Sequence, residues 1–289
     1  MGQVKNKIAI SGAAGSFGRM VLEELKRKGI KNIIAATREP EKLKDFEKGG
    51  YEVRFADFDD KASLIPAFKG AKKLLLISTN ALSGRVKQHE NAIKAAKELG
   101  IKHIVYTSWG NTDNSRAMVS QDHIETEKLI IESGISYTIL RNYSYAENLI
   151  PALKEAVETG VLKGAAGEGK VAFITKHDCA LAAVSALIKD DEESKVLELS
   201  GGHSYSYEDI AKMVGELKNK EVVYKNLTNN EYTHYLEKSG YEKDLATFLS
   251  SFDDSYRHGE MEEVTDSFQK LVGHKPQNLK DFIRQELRS

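Results

Sequence analysis

Three glycines, Gly12, Gly15 and Gly18, stand three residues apart in the segment Gly12-Ala13-Ala14-Gly15-Ser16-Phe17-Gly18. That spacing carries a specific chemistry. The first glycine allows a tight turn out of a strand, the second removes a Cβ where backbone must approach a pyrophosphate, and the third lets the following helix pack closely on the sheet. The N–H groups at the helix start, near Ser16 and Phe17, then face an anion at the positive end of the helix dipole. Here the triplet follows the apolar run KIAIS, Lys7 to Ser11, and opens a segment with helical spacing. Motif and context together predict a dinucleotide site.

The end of the second apolar run, Asn32 to Thr37, decides which dinucleotide. Sites for NAD carry an acid there for the ribose 2′-hydroxyl. This chain reads Ala35-Ala36-Thr37-Arg38, with Glu39 one residue later. A guanidinium meets a 2′-phosphate with charge-assisted contacts and stacks on adenine, so the expected cofactor is NADP(H). Position assigns the other contacts. Asp57 and Phe58 follow the third run, where an acid accepts from the adenine amino group. Ser78, Thr79 and Asn80 follow the fourth, and Thr107 and Ser108 the fifth. No metal is expected.

The elements that hold these residues alternate regularly. Strand-type runs cover Lys7 to Ser11, Asn32 to Thr37, Glu52 to Ala56, Lys73 to Ile77, Lys102 to Thr107 and Ser136 to Leu140. Helix-type segments separate them: Phe17 to Lys28, Glu41 to Lys48, Ala62 to Phe68, Arg85 to Leu99 and Ser120 to Ser133. The uninterrupted apolar run KLLLI at Lys73 to Ile77 reads as a strand buried on both faces, the habit of parallel sheets. Alternation of this kind implies right-handed crossovers and helices on both faces. The predicted fold is α/β: a Rossmann-type doubly wound parallel sheet with a smaller α/β C-terminal lobe. Residues 1–150 are expected to form the NADP-binding domain and 151–289 the substrate-side lobe, with about 171–200 returning to the sheet. Val171 to Ile174 and Val196 to Leu199 are expected strands and His177 to Ile188 a helix. The glycine-rich stretch Gly160 to Gly169 reads as a flexible surface connection or a substrate-side lid. The lobe beyond Tyr207 is read as mostly helical and lying over the carboxyl edge of the sheet, where open α/β sheets bind ligands.

Composition narrows the function classes. With 42 basic and 43 acidic side chains in 289 residues, nothing marks a nucleic-acid binder or a polybasic membrane anchor. No apolar run approaches the length of a membrane span, and the N-terminus Met1-Gly2-Gln3-Val4-Lys5-Asn6 lacks a signal-peptide core. A cytoplasmic location is expected. The single cysteine, Cys179, lies in an apolar stretch and reads as a core residue. The acidic tract Asp190-Asp191-Glu192-Glu193 reads as a solvated turn. A homodimer is an open expectation for the assembly.

The glycine spacing resembles that of short-chain dehydrogenase/reductase folds, which usually place Y-x-x-x-K on the helix after the fifth strand. Counting back eleven residues from Gly134 puts His123 in the lysine slot and Val119 in the tyrosine slot. Valine transfers no proton, so carbonyl reduction and sugar epimerisation, which need that acid/base, are disfavoured. Three segments carry a closer likeness: Thr37-Arg38, His123 to Lys128 (HIETEK) and Gly134 to Asn142 (GISYTILRN), with Gln269 to Gly273 near the end. On these the chain is identified as a member of the NmrA-like atypical short-chain reductases, most similar to the NADPH:quinone oxidoreductase type 2 and triphenylmethane reductase branch. The resemblance implies NADPH as donor and direct hydride transfer to a small flat aromatic or quinone-like acceptor. It implies that Asn142 and Tyr143 lie beside the nicotinamide with His123, and that Trp109, Tyr143 and Tyr145 serve the acceptor. Core packing is the alternative for each aromatic, and an orienting, non-titrating role the alternative for His123. Two other functions stand beside the quinone, dye or azo reductase: a non-catalytic NADP(H) sensor acting on a protein partner, and, disfavoured by Val119, a nucleotide-sugar epimerase.

Overall fold

A computed structural model describes residues 6–189 and 193–288. Met1 to Lys5, and Asp190 to Glu192 of the acidic tract, lie outside the described residues. The first half runs β1 (Ile8–Ile10), α1 (Ser16–Arg27), β2 (Ile33–Thr37), a short 3-10 turn at Pro40–Leu43, α2 (Lys44–Lys48), β3 (Glu52–Phe55), α3 (Lys61–Phe68), β4 (Lys73–Leu76), α4 (Arg85–Glu98), β5 (His103–Trp109), α5 (Val119–Ser133) and β6 (Ser136–Asn142). The second half runs α6 (Ile150–Thr159), β7 (Val161–Gly164), β8 (Lys170–Val171), α7 (Lys176–Ile188), β9 (Lys195–Leu199), β10 (Tyr205–Ser206), α8 (Tyr207–Lys218), β11 (Val223–Asn226), α9 (Asn229–Lys238), α10 (Lys243–Arg257), α11 (Ser267–Val272) and α12 (Leu279–Glu286).

Seven strands form one sheet in the order β3-β2-β1-β4-β5-β6-β9. The ladders joining β3, β2, β1, β4 and β5 are all parallel, with Ile10 opposite Ala35 on one side and Leu75 on the other. The fold class is the doubly wound α/β sheet expected from the alternation. Burial explains why these segments are strands: β1, β2 and β4 are buried at every residue, whereas β3 at the edge is exposed at Glu52 and Phe55. The helices facing the sheet are amphipathic. α1 buries Phe17, Gly18, Val21, Leu22 and Leu25. α4 buries Ala92, Ala95 and Ala96, small residues that let it lie close to Leu74, Leu76, Ile104 and Tyr106. The strand order reverses between β1, which leads to β2, and β4, which leads to β5. Such switch points open a crevice at the carboxyl ends of the strands.

The chain divides into two compact units. The first holds the described residues of Met1–Ser108, Asp122–Arg141 and Cys179–Leu197, and the second those of Trp109–Gln121, Asn142–Asp178 and Glu198–Ser289. Cys179 is fully buried in α7. Among the described residues no helix is long and apolar enough to cross a membrane.

Two expectations in the second unit need correction. The glycine-rich stretch is not a surface connection: Val161–Gly164 is a strand paired in parallel with β11, and Leu162, Gly164, Ala165 and Ala166 are buried. Its glycines serve close packing, since a Cβ at Gly164 would lie 2.4 Å from the Tyr207 ring and one at Gly169 would lie 1.9 Å from the Tyr256 carbonyl oxygen. The expected strand Val171 to Ile174 shrinks to Lys170–Val171, antiparallel to β10, with an isolated bridge from Ile174 to Tyr145.

Candidate functional site

The glycine turn divides its labour. Gly12 has φ +60°, a left-handed conformation that turns the chain out of β1. Gly15 precedes α1 in extended conformation, its N–H donating to the Gly12 carbonyl at 3.0 Å. No side chain caps α1 and no acid occupies its first turn, so the amides at its start are left for an anion. Gly18 is demanded by packing: a Cβ there would sit 2.4 Å from the Gly12 carbonyl oxygen and 2.7 Å from Ala13 Cα.

Over this turn lies a cavity of about 680 Å³. Gly12, Gly15, Ser16, Phe17 and Gly18 line its floor. The end of β2 adds Thr37, Arg38, Glu39 and Lys42, the end of β3 adds Asp57 and Phe58, and the loop after β4 adds Ser78, Thr79 and Asn80, with Gln88 from α4. Every residue that position assigned to the cofactor up to Asn80 thus lines one cavity. Thr107, Ser108 and His123 do not.

Electrostatics at the β2 end are asymmetric. Glu39 pairs with Lys42, while Arg38 is exposed and has no hydrogen-bond or ion-pair partner among the described residues. The base of the pocket is braced. Asp57 N–H donates to Ser63 Oγ at 2.9 Å, Asn91 donates to the Phe58 carbonyl at 2.9 Å, and Gln88 donates to the Asp59 carboxylate at 3.0 Å. In two lining residues a polar atom, Thr79 Oγ1 and Gln88 Oε1, is buried without a partner among the described residues. Buried polar atoms are nearly always satisfied, so this pair points to a polar ligand. Glu39, Lys42 and Gln88 were not anticipated. Lys42 could have been found from its i,i+3 spacing to Glu39, but Gln88 reaches the cavity only through the packing of α4.

Thr107 supports the cavity from behind, its Oγ1 accepting the Ser78 N–H at 2.9 Å. Ser108 donates to Glu127 at 2.6 Å, and Glu127 is ion-paired with Arg141 at 2.6 Å. His123 on α5 is buried, with Nδ1 2.7 Å from the Tyr106 hydroxyl and 3.4 Å from Ser108 Oγ. Burial, reinforced by His89 and Arg85, pushes its pKa well below the ordinary histidine value, so it is neutral near pH 7. Burial likewise keeps the Tyr106 phenol protonated. Val119 begins α5 and is buried.

The remaining predicted residues belong to the second unit. Asn142 ends β6, its amide donating to the Tyr145 hydroxyl at 3.0 Å while Oδ1 is buried without a partner among the described residues. Tyr143 is buried, its N–H donating to the Leu199 carbonyl at 2.9 Å and its ring lying against Gly110, where a Cβ would approach within 2.3 Å. Burial raises the Tyr143 pKa far above the phenol norm. Lys176 Nζ lies 5.7 Å from the Tyr145 ring centre. Trp109 donates to Ser115 Oγ at 3.1 Å and its ring lies 5.0 Å from that of Phe252.

Comparison with known proteins places this geometry among relatives. The model of the NmrA-like family matches residues 4–283. The chain is 38% identical over 277 residues to quinone oxidoreductase 2 of Escherichia coli, covering 96% of this chain and 97% of the relative. Among solved structures, it is similar to an NADPH-dependent quinone oxidoreductase of E. coli complexed with NADPH (TM-score 0.94, 37% identity, 98% of this chain and 100% of that one). It is also similar to the triphenylmethane reductase of Citrobacter sp. complexed with NADP(H) (TM-score 0.92, 32% identity, 97% and 100%).

Proposed function

Because the chain belongs to the NmrA-like family, we propose that it is an NADPH-dependent oxidoreductase that passes hydride to a flat acceptor of the quinone, dye or azo class. The observation that carries the reading is the β2 end of the cavity: an Arg38 without a partner among the described residues, beside a Glu39 already matched to Lys42. A cation with no internal partner suits a 2′-phosphate, and a neutralised acid neither repels that phosphate nor competes for a ribose diol. The glycine turn and the uncapped start of α1 would hold the pyrophosphate, Asp57 and Phe58 the adenine, and Thr79 and Gln88 supply unpaired polar atoms. Reduced nicotinamide, when bound, supplies the hydride.

The acceptor class rests on two supports. One is the named substrates of the relatives, quinones and triphenylmethane dyes. The other is proton chemistry. Val119 stands where a short-chain reductase has its tyrosine, and His123 is buried and neutral. A general acid works best with a pKa near the operating pH, and His123 is far from it. A quinone takes hydride to give a hydroquinone anion that water protonates afterwards, and a cationic dye takes hydride to give a neutral product that needs no proton, so neither requires a positioned acid. Asn142, Tyr143 and His123 are assigned the nicotinamide end, and Trp109, Tyr143 and Tyr145 the acceptor. The cytoplasm is the proposed compartment, in keeping with a chain of one cysteine.

The test is absorbance at the nicotinamide band, with NADPH and a simple benzoquinone, beside Arg38→Ala. Quinone-dependent oxidation that weakens in the variant is expected. NADPH binding without reduction of any acceptor in a quinone and dye panel would instead make the chain a cofactor sensor.

A further inference from the structure

Thr79 enters the cavity on the loop between β4 and α4, and its backbone is held on both sides. Its N–H donates to His89 Nε2 at 3.2 Å, and its carbonyl accepts from Arg85 Nε at 2.9 Å. Arg85 and His89 lie one turn apart on α4 and so share a face. Both are buried. Each is gripped in turn by α5, again with one-turn spacing: Arg85 Nη1 meets Asp122 Oδ2 at 2.7 Å, and His89 Nδ1 meets Thr126 Oγ1 at 2.9 Å.

The protons along this chain are fully determined. Because Nε2 accepts the Thr79 amide, the imidazole hydrogen sits on Nδ1 and is donated to Thr126 Oγ1. The Thr126 proton goes on to the Asp122 carbonyl at 2.7 Å. Burial, with Arg85 adding to it, lowers the His89 pKa to about 3, so the arrangement persists at ordinary pH. The backbone of Thr79 is thereby used up, while its hydroxyl, in a residue of the cavity lining, is left buried and without a partner among the described residues.

We propose that Arg85 and His89 are positioning residues for the dinucleotide: they lock the Thr79 backbone so that its hydroxyl meets the bound cofactor, and they tie that loop to α5, the helix that carries His123. This rests on the reading of the cavity as the NADPH site. A pair that merely stabilised the fold would have no need to leave the Thr79 hydroxyl unpaired.

The test uses the full chain and three variants. His89→Leu keeps the bulk and removes the acceptor. His89→Gln returns an oxygen near the place of Nε2. Asp122→Asn weakens the grip on Arg85 from a partly exposed position and spares the core. NADPH dissociation constants, urea midpoints and the exchange rate of the Thr79 amide are measured together. The Leu variant should bind NADPH about tenfold more weakly, roughly the loss of one hydrogen bond to a ligand, with faster Thr79 exchange. The Gln variant should recover most of both at equal stability, and Asp122→Asn should weaken binding about threefold. If the wild type binds NADPH and the Leu and Asn variants bind it equally well, or if the Gln variant is no better than Leu, the positioning role is overturned while the cavity reading stands. Absence of NADPH binding by the wild type overturns the cavity reading itself.

Discussion

Lys42 Nζ lies 2.5 Å from Glu39 Oε1, so the one acid beside Arg38 is neutralised from within its own turn. Removing Arg38 should therefore cost what a charge-assisted phosphate contact provides, roughly 2 kcal/mol, or about thirtyfold in NADPH affinity. NADH affinity should change by less than about twofold. Lys42→Gln frees Glu39 instead, and because the pair is half exposed its effect is smaller, about threefold against NADPH. Fluorescence titration with both cofactors, at low and moderate salt, measures the ratio.

Gly18→Ala tests the turn by sterics. The added methyl would have to occupy space 2.4 Å from the Gly12 carbonyl oxygen, and that neighbour is backbone. Helix α1 must move off the sheet, at about 3 kcal/mol or more. A lower urea midpoint and loss of cofactor binding should appear together.

Stability should depend on pH with opposite signs in the two units. His89 and His123 are held neutral in the folded state, His89 with a pKa of about 3, while an unfolded histidine titrates near 6.5. Below pH 6.5 the unfolded chain binds protons that the folded chain refuses, so their contribution is complete above pH 6.5 and is lost as pH falls, roughly 2 kcal/mol for His89 by pH 5, with His123 acting in the same direction. Asp253 in α10 behaves oppositely. Burial raises it to about 6, with the Ala165 N–H and Tyr207 hydroxyl as its donors. The folded chain then holds a proton that the unfolded chain has lost, so its contribution is present near pH 4 and disappears as pH rises through 6. Urea midpoints at pH 7 and pH 5 should fall on acidification. His89→Gln should flatten the fall, and Asp253→Asn should steepen it.

Gly110→Ala probes the second unit. Its methyl would fall 2.3 Å from Tyr143 Cδ1, so the Tyr143 ring must shift, at about 1–3 kcal/mol. The expected outcome is a changed acceptor KM with a smaller change in NADPH affinity. Tyr143→Phe, which keeps the ring and removes only a hydroxyl held protonated by burial, should stay within about twofold of wild type in steady-state rate.

The sheet was legible because its central strands are buried on both faces and its strands are separated by helices of ordinary length, so that each local pattern and the topology agree. The strand at Lys73–Leu76 and the helix at Arg85–Glu98 matched their sequence spacing to within a residue. The cavity was legible as far as it is built from residues directly after strands, where position along the chain fixes position in space. What escaped reading is non-local. β7 finds its partner β11 some sixty residues later, a pairing that leaves no periodic trace, and glycines that look like looseness are there to admit Tyr207 and the Tyr256 backbone. The clamp on Thr79 escaped for the same reason: Arg85 and His89 are ordinary polar residues of a helix until α5 is laid against them.

The burial of Cys179 has a consequence for the company this protein keeps. Quinones are electrophiles that arylate accessible thiolates, so an exposed cysteine would be consumed by an acceptor of the proposed class. The chain has one thiol, fully enclosed in α7, and a buried thiol in apolar surroundings is inert. Whatever reactive acceptor enters, it meets a surface that offers no thiol to arylate.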